Sequence, residues 1–152
     1  MKKFLVLILL VLPLLAFSQI EAGKLNVGVS GSIMIKPDFH MSLGGHFGKM
    51  FTDNIEFGIN GSFYTGGGST GFSAGVLAYY HMMLAEGIFG FAGVEVMFPI
   101  QPTFSNNESF NLGFDYFVGD NVALRLYNQL YISEFDFGNF YDYINIGTVA
   151  YF

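Results

Sequence analysis

Apolar and polar residues alternate along most of this chain. In residues 24–35, for example, Leu25 and Val27 share one parity, whereas Asn26 and Gly28 share the other. A period of two is typical of a β-strand whose two faces meet different surroundings. The same alternation predicts eight strands, separated by turn-forming and polar residues at 36–38, 52–54, 65–70, 83–87, 99–108, 119–121 and 134–139.

The parity of the residues around one short turn predicts how two strands pair. Residues that pair directly across an antiparallel hairpin point to the same face of the sheet. Val118 and Val122 both have outward parity, so they can pair when residues 119–121 form a three-residue turn. The same register places Asp115 directly opposite Arg125.

The predicted connections alternate in length, apart from the first. The second, fourth and sixth are short, whereas the third, fifth and seventh are longer, with 99–108 as the longest polar connection. In membrane barrels the long loops lie outside the cell and the short turns lie in the periplasm. Because the number of predicted strands is even, both ends of the mature chain are then expected to lie in the periplasm.

The composition favours a barrel that lies in a membrane. Apolar residues make up 52% of the chain and charged residues only 12%, compared with about 25% charged residues in an average soluble domain. After the first segment, no apolar run reaches the ~20 residues that a membrane helix needs. The predicted fold is therefore all-β, a closed antiparallel eight-stranded transmembrane up-and-down β-barrel. A soluble β-sandwich or lipocalin-like barrel is the alternative.

The first segment, residues 1–18, has a different composition. Two lysines precede an apolar core at 4–15, and Ala16 and Ser18 fit the small-residue positions of a cleavage site. These features predict a secretory signal peptide. Residues 19–152 are then the barrel domain.

The charge and the absence of cysteine exclude several kinds of partner and site. The mature chain keeps all 12 acidic residues and loses two of the six basic ones, so its formal charge is −8. So acidic a chain argues against binding of nucleic acid. There is no cysteine, which excludes disulfides, thiolate metal sites and a lipoprotein anchor.

The closing segment, 140–152, carries the resemblance to a known family. It predicts a strand with two unlike faces that ends on Tyr151 and Phe152, which resembles the C-terminal signature of bacterial outer-membrane barrels. With its strand count, the mature chain is similar to the small OmpX and OmpA transmembrane-domain barrels. The resemblance implies a Gram-negative outer-membrane location and contact with outer-membrane lipid and lipopolysaccharide. It also implies that Tyr151 and Phe152 are the signal that the barrel-assembly machinery recognises during insertion.

Four charged residues have inward parity and form the predicted polar cluster of the lumen: Arg125, Asp115, Glu95 and Glu56. Arg125 is the only arginine of the chain. An unpaired charge inside so narrow a barrel would cost several kcal/mol, so we expect an Arg125–Asp115 pair that Glu95 or Glu56 can join. A structural polar plug is favoured over an ion gate, because side chains fill the interior of an eight-stranded barrel.

Histidines offer two further hypotheses, and neither is favoured. His40, His46 and His81 have inward parity, but they belong to different heights of the barrel, which disfavours a metal site. His40 and Ser42 resemble the His-x-Ser of PagL-type lipid A deacylases. That resemblance would imply a lipid-facing catalytic triad, whereas parity places both side chains inside. We therefore predict no catalytic, cofactor or metal residues.

The predicted function is that of a non-enzymatic outer-membrane barrel with a structural or interaction role, which includes an accessory subunit of a larger envelope complex. The alternatives are a lipid-A-modifying enzyme, a small pore and a soluble lipocalin-like binding barrel. The excess of aromatic residues, which includes Tyr64 and the segment Tyr79–His81, is assigned to interfacial girdles.

Overall fold

The structure is a computed structural model that describes residues 20–34, 40–66, 68–100, 107–131 and 142–152. These residues form a closed barrel in which each strand pairs with the next one along the chain and β1 pairs with β8, all antiparallel. The predicted fold class is confirmed. The strands are β1 (Leu25–Met34), β2 (His40–Met50), β3 (Ile55–Gly66), β4 (Ser69–Ala85), β5 (Ile88–Pro99), β6 (Asn107–Phe117), β7 (Val122–Tyr131) and β8 (Asp142–Tyr151).

Within the described ranges, no helix has the length and apolar character needed to cross a membrane.

The side chains of the barrel wall point inward and outward as the alternation predicts. Apolar side chains such as Leu43, Ile59 and Ile146 point outward, and Ile146 is 66% exposed. The side chains of Asn26 and Glu56 point inward and are completely buried. A soluble binding barrel has the opposite arrangement, with its apolar face inside.

The two ends of the barrel differ in their connections. At one end, which we call the turn end, lie the turns 51–54, 86–87 and 118–121 together with Ile20 and Phe152, the first and last described residues. Val118 N–H donates to the carbonyl of Val122 at 2.9 Å, as the predicted three-residue turn requires. The opposite end, which we call the loop end, carries the remaining connections, which lie at 35–39, 67–68, 100–106 and 132–141.

The predicted loop at 65–70 is wrong. Thr65 pairs with Thr70 and Gly66 pairs with Ser69, so only residues 67–68 connect β3 to β4. Gly68 has a φ of +80°, and glycine supplies the positive φ that so tight a hairpin needs. The alternation of long and short connections therefore fails at this hairpin.

The predicted turn at 83–87 and the predicted connection at 99–108 are both too long. β4 continues to Ala85 with a register shift after Met83, and Gly87 takes a φ of +71° in the turn. Strands β5 and β6 also extend into 99–108, so the gap at 132–141 is longer than the gap at 100–106. The predicted signal peptide and the connections 36–38 and 134–139 lie outside the described residues.

Candidate functional site

An apolar cluster fills the interior at the turn end, and we call it the apolar plug. Ile20, just before β1, is completely buried in it. Two N–H groups hold the segment that carries Ile20 to the barrel. Gly23 N donates to the backbone carbonyl of Met50 at 2.8 Å, and Ala22 N donates to the side-chain oxygen Oδ1 of Asp53 at 2.9 Å. Packed side chains therefore close this end. The plug consists of Ile20, Met50, Met83, Phe89, Phe117, Ala123, Val149 and Tyr151.

Next to the plug, Arg125 and Asp115 form a bidentate ion pair. Arg125 Nε lies 2.7 Å from Asp115 Oδ1, and Arg125 Nη2 lies 2.9 Å from Asp115 Oδ2. The hydroxyl of Tyr151 donates to Asp115 Oδ2 at 3.0 Å, and the guanidinium lies 4.4 Å from the ring centre of Phe91. The two charges thus satisfy each other where water has little access.

Glu56 pairs with a histidine, although the sequence suggested that it could join Arg125. His81 Nε2 lies 2.7 Å from Glu56 Oε2, and both side chains are completely buried. On the other side, His46 Nε2 lies 3.9 Å from Glu56 Oε1. The register of β3 and β4 pairs Glu56 with Tyr79, so His81 is the diagonal neighbour two residues further on.

Glu95 is held by neutral donors. The hydroxyl of Tyr79 donates to Glu95 Oε1, and the amide of Gln129 donates to Glu95 Oε2 at 3.3 Å. Gln129 also donates to Ser109 Oγ at 3.1 Å, and Asn111 donates to the hydroxyl of Tyr79 at 3.3 Å. Of the four residues of the predicted cluster, only Arg125 and Asp115 are therefore joined by an ion pair in the described part of the chain.

The assignment of Tyr64 and of the segment Tyr79–His81 to a girdle is wrong for most of these residues. Tyr79 and His81 are buried in the lumen, whereas Tyr80 points outward. Tyr64 lines the interior near the loop end. Inward parity is the signal that would have found Tyr64 and Tyr79, because each lies an even number of residues from a lumen residue on its own strand.

Beyond these charged groups, toward the loop end, lies a cavity of about 410 Å³, which we call the loop-end cavity. Its hydroxyl groups are paired: Ser32 with Ser42 at 2.7 Å and Ser62 with Ser73 at 2.8 Å between the oxygens. Ser30 and Tyr127 form a third pair at 3.0 Å. Glu95, Gln129 and His46 also line this cavity. The interior is thus apolar at one end and rich in hydroxyl groups at the other.

No protein-family model and no curated protein sequence matches this chain. Solved structures of small barrels do match. A de novo designed transmembrane β-barrel aligns with a TM-score of 0.68 at 12% identity, over 87% of this chain and 98% of the designed one. The N-terminal β-barrel domain of Pseudomonas aeruginosa OprF aligns with a TM-score of 0.64 at 15% identity, over 86% of this chain and 98% of that one.

The Yersinia pestis outer membrane protein Ail, solved in a phospholipid bilayer nanodisc, aligns with a TM-score of 0.53 at 10% identity, over 86% of this chain and 99% of Ail. This chain has the fold of the small eight-stranded outer-membrane barrels. The expected similarity to the OmpX and OmpA type is confirmed at this level. Identities this low establish the fold alone.

In this small barrel, the side chains of the possible enzyme and metal residues face inward. His40 and Ser42 both line the loop-end cavity, and the hydroxyl of Ser42 is paired with that of Ser32. His40 and His46 line the cavity, whereas His81 is bonded to Glu56. Over the described ranges, no group of three or more histidine, aspartate or glutamate residues is arranged to hold a metal ion.

The last two residues of the barrel face in opposite directions. Tyr151 belongs to β8 and is completely buried, with its hydroxyl bonded to Asp115. Phe152 is 70% exposed, and its backbone pairs with that of Leu25 in β1. Phe152 is therefore accessible from outside the barrel at the seam where β8 meets β1.

Proposed function

We propose that this protein is a non-enzymatic barrel of the outer membrane that acts through its outer wall and its loops, as a structural or interaction protein. The observation that carries the proposal is the distribution of side chains across the wall. The exposed outer face is apolar, whereas the interior holds the ion pair of Arg125 and Asp115 above a packed apolar plug.

The outer wall supports the membrane location. Its exposed apolar side chains come from every strand, for example Val29, Leu43, Ile59, Leu124 and Ile144. A continuous apolar surface of this kind is rare on soluble monomers and is what the lipid-facing band of a barrel requires. In this proposal the turn end faces the periplasm and the loop end faces outward, and lipid and lipopolysaccharide contact the wall.

The filled interior argues against a pore. An eight-stranded barrel has room for little more than its own side chains. Here the apolar plug, which includes Ile20 and Phe89, blocks the turn end behind the buried Arg125–Asp115 pair. We propose that this charged pair is a structural polar plug and does not act as an ion gate.

The short hairpin at 67–68 supports side-on contacts with other proteins. The β3–β4 connection leaves little loop surface on that side of the barrel, so a partner there would have to pack against the wall. An accessory subunit of an envelope complex fits this geometry. During insertion, the exposed Phe152 and its neighbour Tyr151 would be recognised by the barrel-assembly machinery.

Three measurements test the proposal. The protein should fractionate with the outer membrane and shift its mobility on an SDS gel only after boiling, because a closed barrel stays folded in cold SDS. In planar bilayers the purified barrel should produce no conductance steps. Crosslinking in gently solubilised membranes should capture a partner through residues of the outer wall.

Other outcomes would overturn parts of the proposal. A soluble periplasmic protein without a mobility shift would favour the lipocalin-like alternative. Lipid A that changes in mass when the protein is overproduced would favour an enzyme. The inward orientation of Ser42 and its bond to Ser32 argue against that outcome.

A further inference from the structure

The loop-end cavity has the size of a small-molecule site. Its volume is about 410 Å³, within the roughly 300–1,000 Å³ that ligand pockets occupy. The apolar plug lies below it, and the walls of the barrel surround it. A free small molecule therefore fits this site, whereas a folded partner does not.

Glu95 gives the cavity a carboxyl group that forms no ion pair with any residue that the structure describes. The described lumen buries three carboxylates, those of Glu56, Glu95 and Asp115, against one guanidinium. Asp115 pairs with Arg125, and Glu56 pairs with His81. Among the residues that the structure describes, the donors that hydrogen-bond to Glu95 are all neutral, namely Tyr79, Gln129, Asn111 and Asn60, and Glu95 lines the cavity.

The remaining lining is suited to hydroxyl groups. A serine hydroxyl has one donor and two acceptor sites, so each of the pairs Ser32–Ser42 and Ser62–Ser73 keeps one O–H and several lone pairs for a ligand. The rings of Tyr64 and Tyr127 also line the cavity, and aromatic rings supply flat apolar faces. A sugar ring presents hydroxyl groups at its edge and C–H groups on its face.

Oδ1 of Asn60 is a buried polar atom at the same cavity that has no hydrogen-bond partner within the described part of the chain. A buried polar group without a partner is unfavourable, so this oxygen is suited to accept a hydrogen bond from a ligand. His46 also lines the cavity, but its Nε2 lies 3.9 Å from Glu56 Oε1.

We propose that the loop-end cavity binds a small protonated amine that also carries hydroxyl groups, of which a free amino sugar is the simplest example. Glu95 accepts hydrogen bonds from the ammonium group. The serine pairs and Asn60 bind the hydroxyl groups, and Tyr64 or Tyr127 packs against the ring. This inference goes beyond the proposed function and does not require it, because the cavity belongs to the folded barrel alone.

The test is a titration of the purified, folded barrel with three related sugars, followed by calorimetry and by NMR shifts of backbone amides. Glucosamine carries the amine, N-acetylglucosamine has the same ring with a neutral amide, and glucose has neither. We expect glucosamine, at a pH where its amine is protonated, to bind about tenfold to about a hundredfold more tightly than the other two. The largest shifts should fall around Glu95 and Ser62.

Glu95→Gln should abolish the preference for glucosamine over N-acetylglucosamine. Its matched control is Glu108→Gln, because Glu108 is exposed on the opposite face of the wall and its loss should leave the preference unchanged. The mobility shift on boiling verifies that each variant is folded. Equal binding of glucosamine and N-acetylglucosamine by the native protein, or no binding of either, overturns the proposal.

A second variant tests the site without touching the carboxylate. A Cβ added at Gly44 would lie 3.5 Å from Ser30 Oγ and 3.8 Å from Ser62 Cβ, so Gly44→Leu should fill the cavity without a clash at its Cβ. Gly45→Leu is the control, because Gly45 points outward and its Cβ would lie 3.5 Å from the carbonyl of Gly28. Gly44→Leu should abolish binding and Gly45→Leu should retain it. Unchanged binding by folded Gly44→Leu would show that the sugar binds elsewhere.

Discussion

Asp115 and Arg125 face each other across β6 and β7 and join through two hydrogen bonds, of 2.7 and 2.9 Å. Both side chains are buried, and the hydroxyl of Tyr151 donates to the same carboxylate. The ion pair thus links β6 and β7 to the last strand, β8. In a barrel closed by the β1–β8 pairing, this contact lies close to the seam.

The pair predicts a large loss of stability when one charge is removed. Arg125→Met leaves the carboxylate of Asp115 buried without its cation, which should lower the free energy of unfolding by about 3–5 kcal/mol. Urea unfolding of the barrel in lipid vesicles measures this loss. Lys49→Met is the control, because Lys49 is exposed on the outer wall.

The double variant Arg125→Met with Asp115→Leu separates pairing from packing. Replacement of a buried ion pair by apolar residues of similar volume is often neutral or stabilising, so the double variant should recover most of the lost stability. An Arg125→Met barrel as stable as the native one would contradict the buried-pair interpretation.

The hydroxyl of Tyr79 is the second contact to test. Tyr79→Phe removes a donor from Glu95 and leaves a buried carboxylate oxygen with one partner fewer. We expect a loss of about 1–3 kcal/mol in the free energy of unfolding. Tyr80→Phe is a matched control on the next residue, which is exposed outside the barrel. If Tyr79→Phe lowers the free energy of unfolding no more than Tyr80→Phe does, the hydroxyl of Tyr79 contributes no more stability than an exposed hydroxyl.

The alternation of inward and outward residues predicts most of the contacts inside the barrel that the sequence alone can predict. Once Val118 and Val122 were assigned to one face, the register of β6 and β7 followed, and with it the position of Asp115 opposite Arg125. The contact between Glu56 and His81 could also have been predicted from the sequence. The register of β3 and β4 places Tyr79 opposite Glu56 and His81 on its diagonal, where histidine and carboxylate can meet.

The partners of Glu95 could not be obtained in the same way. Gln129 belongs to β7, two strands away from Glu95 on β5, so their contact depends on the curvature and stagger of the closed barrel. The predicted start of β4 was wrong for a local reason. Glycine in residues 65–70 indicated a flexible loop, yet Gly68 serves one tight hairpin between two continuing strands.

Gly93 on β5 illustrates how tightly the interior is packed. A Cβ at this position would overlap the carbonyl oxygen of Ala78 and the ring of Tyr79. Gly93→Ala should therefore destabilise the barrel by about 1–3 kcal/mol, the usual cost of overpacking. Gly45→Ala is the control, because its Cβ would meet only the carbonyl of Gly28 at 3.5 Å. Urea unfolding of both variants measures this loss. If Gly93→Ala leaves the free energy of unfolding unchanged, the neighbouring strand can move enough to accommodate the added methyl group.

Ile20 provides the test of the apolar plug. It is completely buried although it precedes the first strand, and N–H groups of its segment donate to the carbonyl of Met50 and to the side chain of Asp53. Ile20→Ala should lower the free energy of unfolding by about 2–5 kcal/mol, because the removed side chain leaves a cavity. Ile144→Ala is the control, since Ile144 is 66% exposed on the outer wall.

The same variants also test whether the plug blocks ions. In planar bilayers the native barrel and Ile144→Ala should give no conductance steps. Ile20→Ala should give none either, because Phe89 and Phe117 still pack in the plug. The Arg125–Asp115 pair also lies above the plug. Conductance steps in the native barrel would contradict a closed interior. Steps that appear only in Ile20→Ala would show that the N-terminal segment alone keeps the barrel closed.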